Sequence, residues 1–82
     1  MTADLADKIL FHLSSISGTE EVRTNPDLAL YEREVLDSMK TVELILAIEK
    51  EFGVYVSPAE LDRQAWATPR KIIADIQHRL DS

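Results

Sequence analysis

Leu36-Asp37-Ser38-Met39-Lys40-Thr41-Val42-Glu43-Leu44-Ile45-Leu46-Ala47-Ile48-Glu49-Lys50-Glu51-Phe52-Gly53 is the stretch whose reading decides the fold. Asp37 is the N-cap and Gly53 the C-terminal stop of a helix beginning at Ser38 and ending near Phe52. At about 100° per residue, Lys40, Glu43, Lys50 and Glu51 share a polar stripe. Val42, Leu44, Ile45, Leu46, Ile48 and Phe52 cover most of the remainder. So wide an apolar arc belongs to a central helix packed on more than one side, or to one whose surplus edge meets a partner. Met39, Val42 and Leu46 lie together on one edge of that arc, close to Ser38. The Ser38 hydroxyl stands where four backbone N–H groups lack intrahelical partners and where the helix dipole favours an attached phosphate.

On the N-terminal side, Leu5, Ile9, Leu13 and Ile16 repeat at helical spacing, with Leu10 on the flank. They predict a helix over residues 3–17, with Thr2 as N-cap and Gly18 as stop. Residues 19–36 form a long connection that Val22, Leu28, Leu30, Tyr31, Val35 and Leu36 pin to the core, with a turn at Asn25-Pro26-Asp27. On the C-terminal side, Val54-Tyr55-Val56 reads as an extended link. Ser57-Pro58-Ala59-Glu60 has the form of a capping box with proline at the first helical position, predicting a short third helix to about Asp62. Thr68-Pro69 opens a last helix whose buried stripe is Ile72, Ile73, Ile76 and Leu80. The expected fold class is all-α: a small four-helix bundle with a long first loop and a short third helix.

An 82-residue chain makes one domain, residues 1–82, with a thin core. A domain this small buries only about 60% of the surface its unfolded chain exposes. It has no room for a catalytic cleft beside a cofactor fold. With 15 acidic and 9 basic residues the net charge is −6. That disfavours nucleic acid or anionic membrane as partner and suits a basic docking surface. The acids concentrate in residues 1–62, around Asp37-Ser38, whereas residues 63–82 are net positive. Cysteine is absent, which excludes disulfides, Cys-ligated zinc and thiol catalysis by the chain itself. No basic segment followed by an apolar run marks a signal peptide, and no run of eighteen apolar residues marks a membrane span. The expected location is cytoplasmic.

An Asp-Ser pair alone is an ordinary helix cap. The composite is more specific: Leu36-Asp37-Ser38-Met39, then Thr41-Val42-Glu43-Leu44, then Glu49-Lys50-Glu51-Phe52-Gly53, placed centrally in the chain. It resembles the phosphopantetheine attachment site of acyl and peptidyl carrier proteins, and the resemblance extends over nearly the whole chain. It implies that a phosphopantetheinyl transferase joins 4′-phosphopantetheine covalently to Ser38, with Asp37 serving as cap and in transferase recognition. It also implies that the chain is a carrier and not an enzyme, holding an acyl or aminoacyl group as a thioester. Tethering then replaces a free substrate by a high local concentration at each partner. Met39, Lys40, Val42, Glu43, Leu46 and Glu49 are the expected docking residues, with Glu51 a further candidate for charge pairing. The charged members act more on encounter rate than on affinity.

Leu61-Asp62-Arg63-Gln64-Ala65-Trp66-Ala67-Thr68-Pro69-Arg70-Lys71-Ile72-Ile73 is similar to the corresponding stretch of D-alanyl carrier proteins, as is the Asn25-Pro26-Asp27 turn. Those carriers receive D-alanine from an adenylating ligase and pass it on for teichoic acid esterification. Trp66 reads as a core anchor. Two positions depart from the family pattern. Lys40 stands where many fatty-acid carriers have an acid. Glu34 stands where the family usually has glycine, at a point where the loop can require positive φ. These departures tilt the expectation towards a natural-product pathway, polyketide or nonribosomal peptide, with D-alanylation as the alternative. The expected partners are then the transferase, an adenylating ligase and an acyltransferase or synthase acceptor, met by a monomer. A reading of another class is an unmodified helical interaction module in which Ser38 only caps. His12 and His78 form no sequence constellation with carboxylates, and no metal site is expected.

Overall fold

Apolar stripes at helical spacing in three segments converge on one core, and each stripe begins and ends where a cap or a glycine dictates. The computed structural model describes residues 2–81, with the side chains of residues 2 and 3 outside the described set, so the Thr2 cap lies outside it as well. Helix α1 spans Thr2–Ser17, α2 Glu21–Thr24, α3 Ser38–Phe52 and α4 Pro69–Asp81, with a single turn of 3₁₀ helix at Arg63–Trp66. No strand occurs among the described residues. The architecture is the all-α bundle expected, with α1 packed against α2, α3 and α4, and the 3₁₀ turn against α4.

The core joins Leu5, Ile9 and Leu13 of α1 to Leu44, Ile45 and Ile48 of α3 and to Ile72 and Ile76 of α4. Full burial of a side chain of this size contributes roughly 1.5–3 kcal/mol. Both glycine stops work as read: Gly18 (φ 77°) and Gly53 (φ 72°) are left-handed, and their N–H groups donate to Ser14 and Glu49 carbonyls at 2.8 Å.

The long first loop is held by its apolar residues. Val22, Leu28, Leu30 and Leu36 are buried, and Tyr31 and Val35 pack against the core. Val22 seeds the short helix α2, an element not foreseen inside the connection. The Asn25 side chain accepts from the Asp27 N–H at 3.2 Å, closing the expected turn. Asp27 then accepts from Arg70 Nε at 2.9 Å, and Pro26 O from the Arg70 N–H at 3.0 Å, so the loop is fastened to the start of α4.

Two expectations need correction. The short third helix does not begin at Pro58. Residues 57–60 make one turn, closed by Glu60 N–H on Ser57 O at 3.1 Å, and the helical turn comes at Arg63–Trp66. Leu61 is the sole large apolar residue of 57–62, so nothing there drives a helix face inward. Trp66 is fully buried and does drive one, and Asp62 caps its turn by accepting from Gln64 N–H at 2.9 Å. The second correction is Leu80, which is exposed near the end of α4 rather than part of its buried stripe. Thr68-Pro69 opens α4 as expected, with Thr68 Oγ1 accepting from Lys71 N–H at 3.2 Å. Trp66 is the anchor expected: its indole N–H donates to Asp75 Oδ2 at 2.8 Å, and Arg79 Nε donates to the same oxygen at 3.1 Å.

Candidate functional site

Asp37 arrives from the loop in extended conformation, and its Oδ1 accepts from Lys40 N–H at 2.8 Å. Its carbonyl accepts from both Thr41 N–H at 2.8 Å and the Thr41 hydroxyl at 2.6 Å. These bonds set Ser38 as the first residue of α3, exposed to solvent. The positive end of the helix dipole favours an anion on its oxygen.

The structure adds three residues that sequence reasoning had not placed at the site: Thr41, Tyr31 and Arg63. Thr41 is buried, and its hydroxyl proton is committed to the Asp37 carbonyl. The Tyr31 hydroxyl, 2.7 Å from Thr41 Oγ1, is therefore the donor of that bond. The loop is thus tied to the Ser38 end of α3. Arg63 completes the set: its Nη2 donates to Ser38 Oγ at 3.0 Å, and its guanidinium carbon lies 4.9 Å from the centroid of the Tyr31 ring. Ser38 and Arg63 are 25 residues apart, so no local pattern joins them. The available signal was the Asp62 cap, which starts the turn that projects Arg63 to this place. Two shallow grooves flank the Tyr31–Arg63 stack. One, about 150 Å³, adds Ser38, Thr41, Val42, Pro58 and Leu61; the other, about 230 Å³, adds Ala29, Glu32, Gln64, Ala67 and Thr68.

The apolar edge of α3 is open. Met39 is 80%, Val42 40% and Leu46 58% exposed. Lys40 is half-buried, and Glu43 and Glu49 are exposed beside this edge. Glu49 lies roughly 16 Å beyond Ser38, at about 1.5 Å of axial rise per residue. Glu51 is farther still and is committed within the chain, to His12 Nε2 at 3.1 Å and Lys8 Nζ at 3.5 Å. The hydrogen bond with His12, aided by the Lys8 charge, lowers its pKa below the ordinary glutamate value. It does not stand near Ser38 as a charge for partners, and His12 does have a carboxylate neighbour. Among the described residues no three potential ligands gather to hold a metal ion, and no helix is long and apolar enough to cross a membrane.

Glu34, the departure from the glycine pattern, adopts φ 59°. The loop keeps the left-handed turn and a glutamate occupies it, at a steric cost.

Residues 7–76 match the family model described as a phosphopantetheine attachment site, and the chain belongs to that family. It is a carrier protein, not an enzyme, and its cofactor is 4′-phosphopantetheine borne covalently on a serine. The chain is 45% identical over 69 residues to a D-alanyl carrier protein of Lacticaseibacillus casei, covering 84% of this chain and 85% of that one. Over 74 residues it is 38% identical to a D-alanyl carrier protein of Enterococcus faecalis, with 90% and 95% coverage. Over 73 residues it is 40% identical to one of Bacillus licheniformis, with 89% and 94% coverage. The start of α3 fits the family's group: it offers an exposed hydroxyl, a helix end that favours an anion and a guanidinium at 3.0 Å.

Proposed function

We propose that Ser38 is the attachment residue and that the chain is a D-alanyl carrier. The observation that carries the first part is the exposed Ser38 hydroxyl, on the first residue of a helix whose cap, Asp37, is held by Lys40 and Thr41. The second part is supported by similarity to D-alanyl carrier proteins over 84–90% of the chain. When bound, the group supplies a thiol that holds the D-alanyl unit as a thioester. The chain's own residues present it. Asp37 orients the start of α3 and offers a carboxylate to the transferase. Met39, Val42 and Leu46 offer an apolar edge to an adenylating ligase and to an acceptor acyltransferase. Lys40, Glu43 and Glu49 set encounter rate and salt dependence. The acceptor pathway in this reading is teichoic acid D-alanylation.

The natural-product expectation rests on Lys40 and Glu34, and the similarity to D-alanyl carrier proteins does not support it. Glu34 leaves the loop geometry of a glycine in place. The relatives named above are D-alanyl carrier proteins, which favours D-alanylation over a natural-product pathway.

Intact mass is the test, before and after incubation with coenzyme A and a broad-specificity phosphopantetheinyl transferase, with Ser38→Ala as control. One added phosphopantetheine, absent from a folded Ser38→Ala protein, is the expected result. An unchanged mass, with a known carrier modified in parallel, favours the unmodified interaction module. Loading of the modified protein by a D-alanine-activating ligase with ATP then tests the cargo. Indifference among D-alanine, L-alanine and larger amino acids overturns the D-alanyl reading.

A further inference from the structure

Of the five arginines, Arg23, Arg33, Arg70 and Arg79 each pair with a carboxylate among the described residues. Arg63 pairs with none there. Its guanidinium rests on the face of Tyr31 and donates to the hydroxyl of Ser38. Tyr31 is itself tied through its hydroxyl to Thr41 at 2.7 Å, so the ring under Arg63 is anchored to α3. A guanidinium has five N–H donors and remains charged at any ordinary pH. Beside a neutral hydroxyl, and with no carboxylate partner among the described residues, this exposed guanidinium keeps donors that only solvent meets.

We infer that Arg63 is a positioning residue, the counter-ion of the phosphodiester formed at Ser38. The inference rests on Ser38 being the attachment residue. Phosphorus would bond directly to the oxygen that Arg63 already touches, so its non-bridging oxygens come within reach of the same fork of donors. The guanidinium turns from Oγ to those oxygens and stays on the Tyr31 ring. Charge-assisted bonds of this kind are roughly twice as strong as neutral ones, and the planar fork suits phosphate. The neighbouring groove, about 150 Å³, falls short of the roughly 300–1,000 Å³ of small-molecule pockets. It cannot enclose the arm. What Arg63 restrains is the phosphate end, and the thiol end stays free to reach partners.

The experiment compares the protein before and after loading with coenzyme A and the transferase, with modification at Ser38 confirmed by intact mass. Guanidinium ¹⁵N–¹H signals and the phosphodiester ³¹P signal are recorded for the wild type, Arg63→Gln and Arg63→Lys. The thermal midpoint reports whether each variant is folded. On loading, the Arg63 guanidinium signal of the wild type should shift while those of Arg70 and Arg79 stay in place. The ³¹P line should move and narrow in Arg63→Gln, and return part of the way in Arg63→Lys. A loaded wild type whose Arg63 signal is unmoved, or a ³¹P signal identical in Arg63→Gln, overturns the inference and leaves the attachment site standing. Failure to load Ser38 overturns both, and mass alone reports it. The comparison within the wild type needs no variant to fold.

Discussion

Replacing Tyr31 by Phe removes one hydroxyl and little else. The ring remains beneath Arg63, and the loop's buried leucines are untouched. What goes is the bond that Tyr31 donates to Thr41 Oγ1 at 2.7 Å. A neutral hydrogen bond in a partly buried setting nets about 1 kcal/mol, within roughly 0.5–1.5 kcal/mol. Thr41→Val is nearly isosteric and removes that same bond together with the 2.6 Å bond to the Asp37 carbonyl. The carbonyl keeps the Thr41 N–H at 2.8 Å, and the added methyl is buried, so the expected cost is about 1–2 kcal/mol. The bond shared by both substitutions is counted twice in the single variants. The double variant should therefore be more stable than additivity predicts, by about 1 kcal/mol. Urea denaturation at constant m-value measures all four corners, and each kcal/mol corresponds to about 4–8 °C in Tm at this chain length. Single costs that add to within about 0.3–0.5 kcal/mol would refute the relay, because independent sites behave that way.

Glu34→Gly should stabilise the protein by about 0.5–1 kcal/mol in urea, since a left-handed residue other than glycine costs roughly 1–2 kcal/mol and glycine returns part of the gain to the unfolded chain; a loss of stability counts against a strained loop. Asp37→Ala should cost about 1 kcal/mol as a lost cap, with Asp37→Asn keeping most of it, so Asn isolates the carboxylate's part in transferase recognition when loading rates are compared. Asp27 is held below its ordinary pKa, first by the hydrogen bond from Arg70, so the unfolded chain binds this proton more readily. That contribution is present above the ordinary aspartate value and fades as pH falls through the depressed one; Asp27→Asn should flatten the acid side of a urea-midpoint-against-pH curve, and an unchanged slope refutes the linkage. Met39→Glu should leave stability within about 0.5 kcal/mol, because the side chain is 80% exposed, yet slow cargo loading by the ligase; equal loading removes Met39 from the docking edge.

The parts of this fold legible in the sequence are those whose causes are local. Asp37 and Gly53 bound α3 because a cap and a left-handed stop act within one turn, and Thr68-Pro69 opens α4 for the same reason. The short helix forms away from the Ser57 capping box because the distant demand of Trp66 for the core outweighs that local signal. Glu34 illustrates the converse. Its left-handed φ is imposed by the loop around it, where Val35 and Leu36 N–H groups both donate to the Leu30 carbonyl, and not by its own preference. At the site, Asp37 and Ser38 were readable as neighbours. Tyr31, Thr41 and Arg63 were not, because the contacts that unite them run between segments 10 and 25 residues apart.

Helix α3 carries two opposed apolar faces. Leu44, Ile45 and Ile48 are buried against the core, whereas Met39, Val42 and Leu46 stand in solvent. Burying one side chain of that size stabilises a protein by roughly 1.5–3 kcal/mol, and polar residues at these positions would keep the helix at no loss of core. The exposed edge therefore does nothing for the fold that its replacement would not do. On the proposed function it fixes geometry for an encounter, because it starts at the residue after Ser38 and runs along the same helix. A partner that seats on Met39, Val42 and Leu46 meets the Ser38 oxygen at one register, whatever the cargo. On the proposed function, Arg63 adds the second constraint by holding the phosphate end of the arm. Docking and arm are then referred to a single frame, the first two turns of α3. The flexible part of the search is confined to the thiol end, where tethering gives the high local concentration that a carrier supplies.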